Sequence, residues 1–215
     1  AKSKTFLNST SGGLRQWNGT TLTAVTPSGT NEITLTDLGP YLTVFKSRLF
    51  STHVDELNYS VYASEINDET TWLAASQLSL NDPQGGRNTG LASFFDFLIL
   101  LKEASLWRFV GDISTTLDAQ LVIYYDRGCV APDSIALTPY GIIYVGRQGV
   151  YITDGVNSNP PELSLPIRSL FVSRSSETNY PNAVGRWYPN NDQYVLKLDP
   201  TANEAYVLTR LEILA

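Results

Sequence analysis

A seven-residue pattern recurs along the chain and constrains its fold more than any other feature. Gly13–Gly19 and Gly149–Gly155 match position for position in character, and Ser105–Gly111 fits the same frame. Each segment starts on a small residue, continues with an apolar residue and strand-like alternation, and ends on a glycine. Recurrence of a short unit predicts a repeat architecture. It also argues against a catalytic machine built around one unique constellation.

The composition favours strands over helices. Charged residues make up 17% of the 215-residue chain, which is below the roughly one quarter found in typical globular proteins. Thr, Ser, Asn, Tyr, Leu and Val are prominent instead, a mixture that suits strands and polar turns. The net charge of −6 disfavours sequence-independent DNA binding, which normally needs a basic surface. No membrane-spanning segment is predicted, because no apolar run approaches the roughly 20 residues that a spanning helix needs.

Five β-hairpins are predicted, each made of an apolar strand, a short polar turn and an apolar or aromatic strand. The paired segments are residues 14–17 with 22–25, 41–45 with 48–52, 97–101 with 106–110, 142–145 with 149–153, and 193–198 with 204–211. Elsewhere, Asn67–Leu80 is predicted to be a short helix or a loop with Trp72 packed beneath it. A helical turn is predicted over Ile167–Phe171, after Pro166.

The spacing of these hairpins predicts an all-β fold. Reference positions near residues 13, 47, 105, 149 and 203 are separated by 34, 58, 44 and 54 residues, with a mean of 47.5. Four-stranded propeller blades take about 40 to 50 residues. We therefore predict a single propeller-like domain over residues 1–215, with four or five antiparallel blades. A β-sandwich is the alternative, because local hairpins do not distinguish radial from stacked packing. The chain lacks methionine, which indicates processing or a portion of a longer chain.

Three glycines are predicted to be structural turn residues with a backbone requirement. Gly19, Gly111 and Gly155 each close the recurring segment at the same offset, and glycine is the residue that adopts positive φ at little cost. Within the same segments, Trp17, Trp107 and Tyr151 are predicted to pack in the core.

No residue is predicted to be catalytic, to bind a cofactor or to ligate a metal. Cys129 is the only cysteine and His53 the only histidine, so we expect Cys129 to be a small buried apolar residue. Loop carboxylates commonly stabilise turns, and this role is predicted for Asp112, Asp126, Asp154 and Asp192. A glycosidase needs two carboxylates at a set separation, and spacing along the chain nominates no pair.

Several segments occur in a familiar order. They are Lys46–Phe50 followed by Asn58–Ser60, Leu106–Gly111 followed by Gly128–Ile135, then Gln148–Gly155 and Gly185–Tyr194. This order resembles the β-propeller proteins of tailed-phage tails, which include the nozzle (tail tubular) proteins and the packaged-DNA stabilisation proteins. The resemblance covers roughly residues 40 to 211, and members of the family usually have more chain than this.

The resemblance implies a structural virion protein of the tail, not an enzyme and without a cofactor. Such proteins form a homo-oligomeric ring on the tail axis, contact other tail or portal-adaptor proteins, and seal and conduct the packaged DNA. The acidic balance agrees with this, because an acidic lumen repels phosphate and lets DNA pass non-specifically. The alternative is a carbohydrate-binding or host-recognition propeller of a virion, and a propeller glycosidase is a third class.

Overall fold

The computed structural model describes residues 5–7, 13–26, 33, 35–53, 55, 60–80, 82–110, 118–123, 127–173 and 180–209. Strands account for 53% of the structure and helices for 11%. The predicted all-β class is therefore confirmed. Among the described residues, no helix has the length and apolar character that crossing a bilayer requires.

The described strands form five small antiparallel sheets, and each sheet is built from strands that follow one another in the chain. The first sheet contains β1 (Thr5–Leu7), β2 (Arg15–Trp17) and β3 (Leu22–Ala24); the second contains β4 (Leu38–Phe45), β5 (Arg48–His53), β6 (Ser60–Glu65) and β7 (Asp68–Ser79). The third contains β8 (Asn88–Phe94), β9 (Phe97–Lys102), β10 (Leu106–Val110) and β11 (Asp118–Ile123). The fourth contains β12 (Ala136–Thr138), β13 (Gly141–Val145) and β14 (Val150–Thr153), and the fifth β15 (Val184–Tyr188), β16 (Gln193–Lys197) and β17 (Tyr206–Thr209).

All five predicted hairpins are confirmed, and each lies in a different sheet. The pairs are β2 with β3, β4 with β5, β9 with β10, β13 with β14, and β16 with β17. The predicted helical turn is also present, as a 3₁₀ turn at Leu165–Ile167 that runs into the short helix α1 (Arg168–Ser173). The propeller arrangement of the sheets stays a prediction.

The prediction of a helix or loop over Asn67–Leu80 is wrong, because Asp68–Ser79 is the strand β7. β7 pairs antiparallel with β6 through two register shifts, which interrupt the simple alternation that would have marked a strand. Trp72 is fully buried, as expected, and its indole N–H donates to the Glu69 carbonyl at 3.0 Å. Pairing with β6 therefore decides the conformation of this segment.

The recurring segment does not occupy equivalent places in the sheets. β2 and β10 are inner strands of their sheets, whereas β14 is an edge strand. Tyr151 on β14 is buried, as predicted, but Trp17 on β2 is 39% exposed, so the prediction that Trp17 packs in the core is wrong. The β1–β3 strands are only three residues long, and Leu7 and Leu22 on the same face as Trp17 are exposed too.

The chain divides into two compact units. One comprises Ala1–Pro83 with Val110–Ala119, and the other comprises Gln84–Phe109 with Gln120–Ala215. In the first unit, Leu14 and Val25 pack against Leu49, Tyr62 and Trp72 of the second sheet. The prediction of one domain over residues 1–215 stays a prediction.

In the second unit, the fourth sheet lies between the third and the fifth. Ile142 and Tyr144 of β13 pack in a cluster with residues of the third sheet. Ile143 and Val145, which point the other way because side chains alternate along a strand, pack in a cluster with residues of the fifth sheet. All four side chains are completely buried. The apolar run of β13 is thus explained by burial on both faces.

Replacing Ile143 with alanine is expected to destabilise the second unit by about 2 to 5 kcal/mol, because a buried cavity is left behind. Leu137→Ala in the neighbouring strand removes a similar volume, but Leu137 is 52% exposed, so a loss within about 0.5 kcal/mol is expected. Urea unfolding followed by tryptophan fluorescence measures both. Equal destabilisation by the two substitutions would contradict the two-sided burial of β13.

Candidate functional site

One segment, Gly128–Ile135, is hydrogen-bonded to three sheets of the second unit, and we call it the junction segment. The backbone N–H of Cys129 donates to the Lys102 carbonyl of the third sheet at 2.8 Å. The N–H of Val130 donates to the Val145 carbonyl of the fourth sheet at 2.9 Å. A side chain on Gly128 would meet the backbone of Lys102 and Ala104. Glycine is needed here because the backbone passes against the end of β9.

Ser134 fixes the middle of the junction segment. Pro132–Ser134 form a 3₁₀ turn that begins with proline, whose φ is preset for a helical start. The Ser134 hydroxyl donates to the Ala131 carbonyl at 2.6 Å and accepts the Val145 N–H at 2.9 Å. Ser134 is completely buried, so both bonds form without competition from water.

The fifth sheet reaches the same turn through two side chains. The Tyr194 hydroxyl donates to the Ser134 carbonyl at 2.7 Å, and the Arg186 guanidinium donates to the Asp133 carbonyl at 2.8 Å. Burial, followed by the neighbouring Cys129 group, raises the pKa of Tyr194 above its usual value, so the phenol remains a proton donor. Gly185 leaves room for the Tyr194 ring, since a Cβ there would collide with it.

Arg127, which directly precedes the junction segment, contacts the loop after β14. Its guanidinium donates to the Pro160 carbonyl at 2.9 Å and lies 5.4 Å from the ring centroid of Tyr151. Its carbonyl accepts the Tyr144 hydroxyl at 2.8 Å. Desolvation by burial raises the pKa of Tyr144, which keeps this hydroxyl protonated. The arrangement holds the backbone of Arg127 and Pro160 in place.

Cys129 is buried at the centre of the junction segment, as predicted. Its thiol contacts the Ala131 carbonyl, 3.3 Å away, and burial raises the pKa of the thiol to about 12. The nucleophile in cysteine chemistry is the thiolate, and this thiol stays protonated at neutral pH. Cys129 is therefore suited to packing.

Several of the described aspartates stabilise turns. Asp154 Oδ1 accepts the N–H groups of Val156 and Asn157 at 2.8 and 2.9 Å. Burial opposes ionisation of Asp154, but these backbone donors outweigh it and lower the pKa. Asp192 itself adopts a left-handed conformation, with φ of 49°, at the end of a 3₁₀ turn. The same role was predicted for Asp112 and Asp126, which lie outside the described residues. Within the described ranges, no group of three or more His, Cys, Asp or Glu residues is placed to hold a metal ion.

Two of the three glycines predicted as turn residues lie in the described part of the chain. Gly19 has a φ of 93° and Gly155 a φ of 76°, both in the region that favours glycine. A Cβ on Gly19 would meet open space, whereas one on Gly155 would lie 2.6 Å from Ile99 Cδ1. Gly155 thus combines a backbone and a packing requirement. Gly111 lies outside the described residues.

The junction contacts could not be assigned from local sequence. Ser134 and Tyr194 are 60 positions apart, and Arg186 and Asp133 are 53 apart. Neither Tyr194 nor Arg186 lies in a sequence pattern that predicts its hydrogen-bond acceptor. In the sequence, Gly128–Ile135 stood out through its place in the order of segments that resembles phage tail proteins, and that order does not predict its contacts.

Ser134→Ala is expected to lower the free energy of unfolding by about 2 kcal/mol, because the buried N–H of Val145 loses its acceptor. Tyr194→Phe should cost about 1 kcal/mol. Ser158→Ala, at an exposed loop position, is the control and should stay within about 0.5 kcal/mol. Denaturant unfolding at neutral pH checks all three. A Ser134→Ala variant as stable as Ser158→Ala would rule out a structural role for the junction hydroxyl.

The stability of the chain is expected to fall at alkaline pH partly through Cys129. Folding raises the thiol pKa from the ordinary 9.0 to about 12, so folding favours the protonated form. This contribution is fully present below about pH 9 and is lost as the pH rises toward 12, by about 1.4 kcal/mol per pH unit.

Comparison with Cys129→Ala isolates this contribution, because the buried tyrosines are common to both proteins. The unfolding free energy of the parent chain should fall by about 2 kcal/mol more than that of Cys129→Ala between pH 7 and 10.5. Parallel pH profiles would show that the thiol titrates normally in the folded protein.

The comparisons with known proteins identify similar solved structures but no protein family. No protein-family model matches the chain, and none of the curated proteins matches it. A similar solved structure is PorZ of Porphyromonas gingivalis, an essential bacterial surface component of the type-IX secretion system, with a TM-score of 0.52 and 13% identity. The alignment covers 96% of this chain and 24% of PorZ, so the chain spans about a quarter of that protein. A carbohydrate-active enzyme of family AA12 from Trichoderma reesei aligns at 12% identity over 95% of this chain and 67% of the enzyme, with a TM-score of 0.37. At these identities, the similarity to PorZ concerns the fold alone.

Proposed function

We propose that this chain is a structural virion protein of a phage tail, built as a β-propeller. Copies assemble into a ring on the tail axis, together with other tail or portal-adaptor proteins, and seal and conduct the packaged DNA. The observation that carries the proposal is the order of sequence segments that resembles phage tail propellers. One of these segments, Gly128–Ile135, binds three sheets of the second unit together.

The sheet sequence supports the propeller part of the proposal. Each of the five sheets consists of strands that are consecutive in the chain, with neighbours paired antiparallel. Propeller blades are made in this way, and a sandwich of two sheets would place more strands in each sheet. In the second unit, successive sheets also pack face to face on apolar side chains. We propose that the five sheets are five blades.

The chemistry of the described residues supports a structural role in place of catalysis. The thiol of Cys129 is buried with its pKa raised to about 12. The carboxylates of Asp68, Asp154 and Asp199 each accept hydrogen bonds from their own turns. The buried Tyr144 and Tyr194 hydroxyls donate to backbone carbonyls. Polar side chains therefore stabilise loops and join sheets. The tail location rests on the order of sequence segments.

The charge of the protein agrees with DNA passage without retention. A net charge of −6 gives mutual repulsion with phosphates, so duplex DNA slides through an acidic bore without being held. A basic bore would bind the same DNA in a salt-dependent way. The negative net charge of the chain thus assists ejection of the DNA.

Electron microscopy of the purified protein and of its parent particle tests this proposal. Closed rings with a central bore are expected, and in the particle such a ring should lie on the tail axis with acidic side chains lining the bore. Gel-shift assays with linear duplex DNA should show no retention at physiological salt. Monomers that bind oligosaccharide through exposed Trp or Tyr would favour a host-recognition propeller instead. Hydrolytic activity abolished by a single Asp→Asn change would contradict both readings.

A further inference from the structure

The turn between β2 and β3 contains the only asparagine of the sequence that is followed by glycine, Asn18 before Gly19. Both residues are exposed. Gly19 has a φ of 93°, and a Cβ added to it would meet nothing within 4 Å, so the space beside its backbone is open to water. Because glycine has no side chain, its backbone nitrogen is the least hindered nucleophile that can follow an asparagine.

The Asn18 carboxamide is held at its oxygen. Asn18 Oδ1 accepts the backbone N–H of Thr20 at 3.0 Å and that of Thr21 at 2.9 Å, and the Thr21 hydroxyl donates to it at 3.3 Å. Donors at a carbonyl oxygen stabilise the negative charge that develops there when a nucleophile attacks the carbon. Within the described part of the chain, the Gly19 N–H donates to no other group. The electrophile is therefore polarised and the neighbouring nitrogen is free.

The only aspartate followed by glycine, Asp154 before Gly155, has the opposite arrangement. The Gly155 N–H donates to the Thr153 hydroxyl at 3.1 Å. Gly155 is buried, and a Cβ on it would lie 2.6 Å from Ile99 Cδ1. The backbone nitrogen at this second dipeptide is thus engaged and covered, whereas the nitrogen of Gly19 is neither.

Asn157 is a natural comparison for Asn18. It is also exposed, and its Oδ1 accepts the backbone N–H of Asn159 at 3.1 Å. The residue that follows it is Ser158, whose Cβ hinders attack by its own backbone nitrogen. The two asparagines share exposure and a turn that binds the side-chain oxygen, and they differ in the residue that follows.

We propose that Asn18 is a site of spontaneous deamidation in the folded protein. The Gly19 nitrogen gives its proton to water and bonds to Asn18 Cγ, the Cγ–Nδ2 bond breaks, and ammonia leaves after taking up a proton. The product is a cyclic imide between the two residues. Water then opens one of its two C–N bonds, which gives either aspartate or isoaspartate at position 18. This chemistry is independent of the proposed tail function.

The conversion alters the β2–β3 hairpin. Either product adds one negative charge to an exposed turn, and isoaspartate also lengthens the backbone by one methylene group. The Asn18 N–H closes the turn by donating to the Thr21 carbonyl at 3.3 Å, directly beside the cross-strand pair of Trp17 and Leu22. A longer backbone moves this N–H away from its acceptor, so the end of the hairpin loosens.

Peptide mass spectrometry of the full chain, incubated at neutral pH in heavy-oxygen water, tests the proposal. Asn18 should convert to a mixture of aspartate and isoaspartate that carries the heavy oxygen. Conversion should be about tenfold faster than at Asn157, a difference of about 1.4 kcal/mol in the barrier. A rate equal to that of Asn157, or aspartate without isoaspartate, would overturn the proposal.

Two substitutions test the role of the following glycine in opposite directions. Gly19→Ala should slow conversion at Asn18 by about tenfold and leave the rate at Asn157 unchanged. Ser158→Gly should raise conversion at Asn157 by a similar factor and leave Asn18 unchanged, so the test does not depend on how the β2–β3 turn tolerates alanine. Rates that do not respond to either substitution would exclude attack by the following nitrogen.

Comparison of the folded chain with the chain unfolded in urea tests the contribution of the structure. Isoaspartate at Asp154 should form only in the unfolded chain, because unfolding releases the Gly155 N–H from Thr153. Asn18 should convert in both states. Protection of Asn18 in the folded chain, or isoaspartate at Asp154 in it, would contradict the contrast between the two turns.

Discussion

Burial of both faces of the fourth sheet is the constraint on which the second unit depends. β13 has Ile142, Ile143, Tyr144 and Val145 in succession, and all are completely buried. Each such side chain contributes roughly 1.5 to 3 kcal/mol when removed from water, and alternation sends them to two different neighbours. A sheet buried on both faces cannot be the outer layer of a fold. The third and fifth sheets therefore have to lie on either side of it.

In such packing, backbone carbonyls at the ends of buried strands need hydrogen-bond donors. The junction segment provides these donors for Lys102 and Val145. Gly128–Ile135 donates from backbone to the third and fourth sheets and accepts side-chain donors from the fifth. Buried polar groups are costly unless satisfied. The tyrosines that complete these bonds keep their protons because burial raises the pKa of each. The same burial removes Cys129 from chemistry. Polar groups that would suggest a site in another protein here hold sheets together.

A fold of this kind has consequences for function. The hairpin turns lie at the ends of the small sheets, and recognition then depends on which side chains these turns carry. Phe95 at the tip of the β8–β9 hairpin is one such place. The net charge of −6 disfavours holding a phosphate backbone.

The all-β class, the five hairpins, the helical turn after Pro166 and the burial of Cys129 could be predicted from the sequence. These depend on turn residues, alternation and composition, all of which act within a few positions of one another. Sequence patterns mispredicted β7, where bulges break the alternation, and Trp17, whose place in its segment matches that of buried Phe109 in Ser105–Gly111. Three features became visible only in the folded chain. The Ser134 carbonyl accepts the Tyr194 hydroxyl, Gly185 leaves room for the Tyr194 ring, and β13 is buried on both faces. The reason is physical: those contacts join residues tens of positions apart, and local sequence specifies a strand without specifying what lies on its two faces.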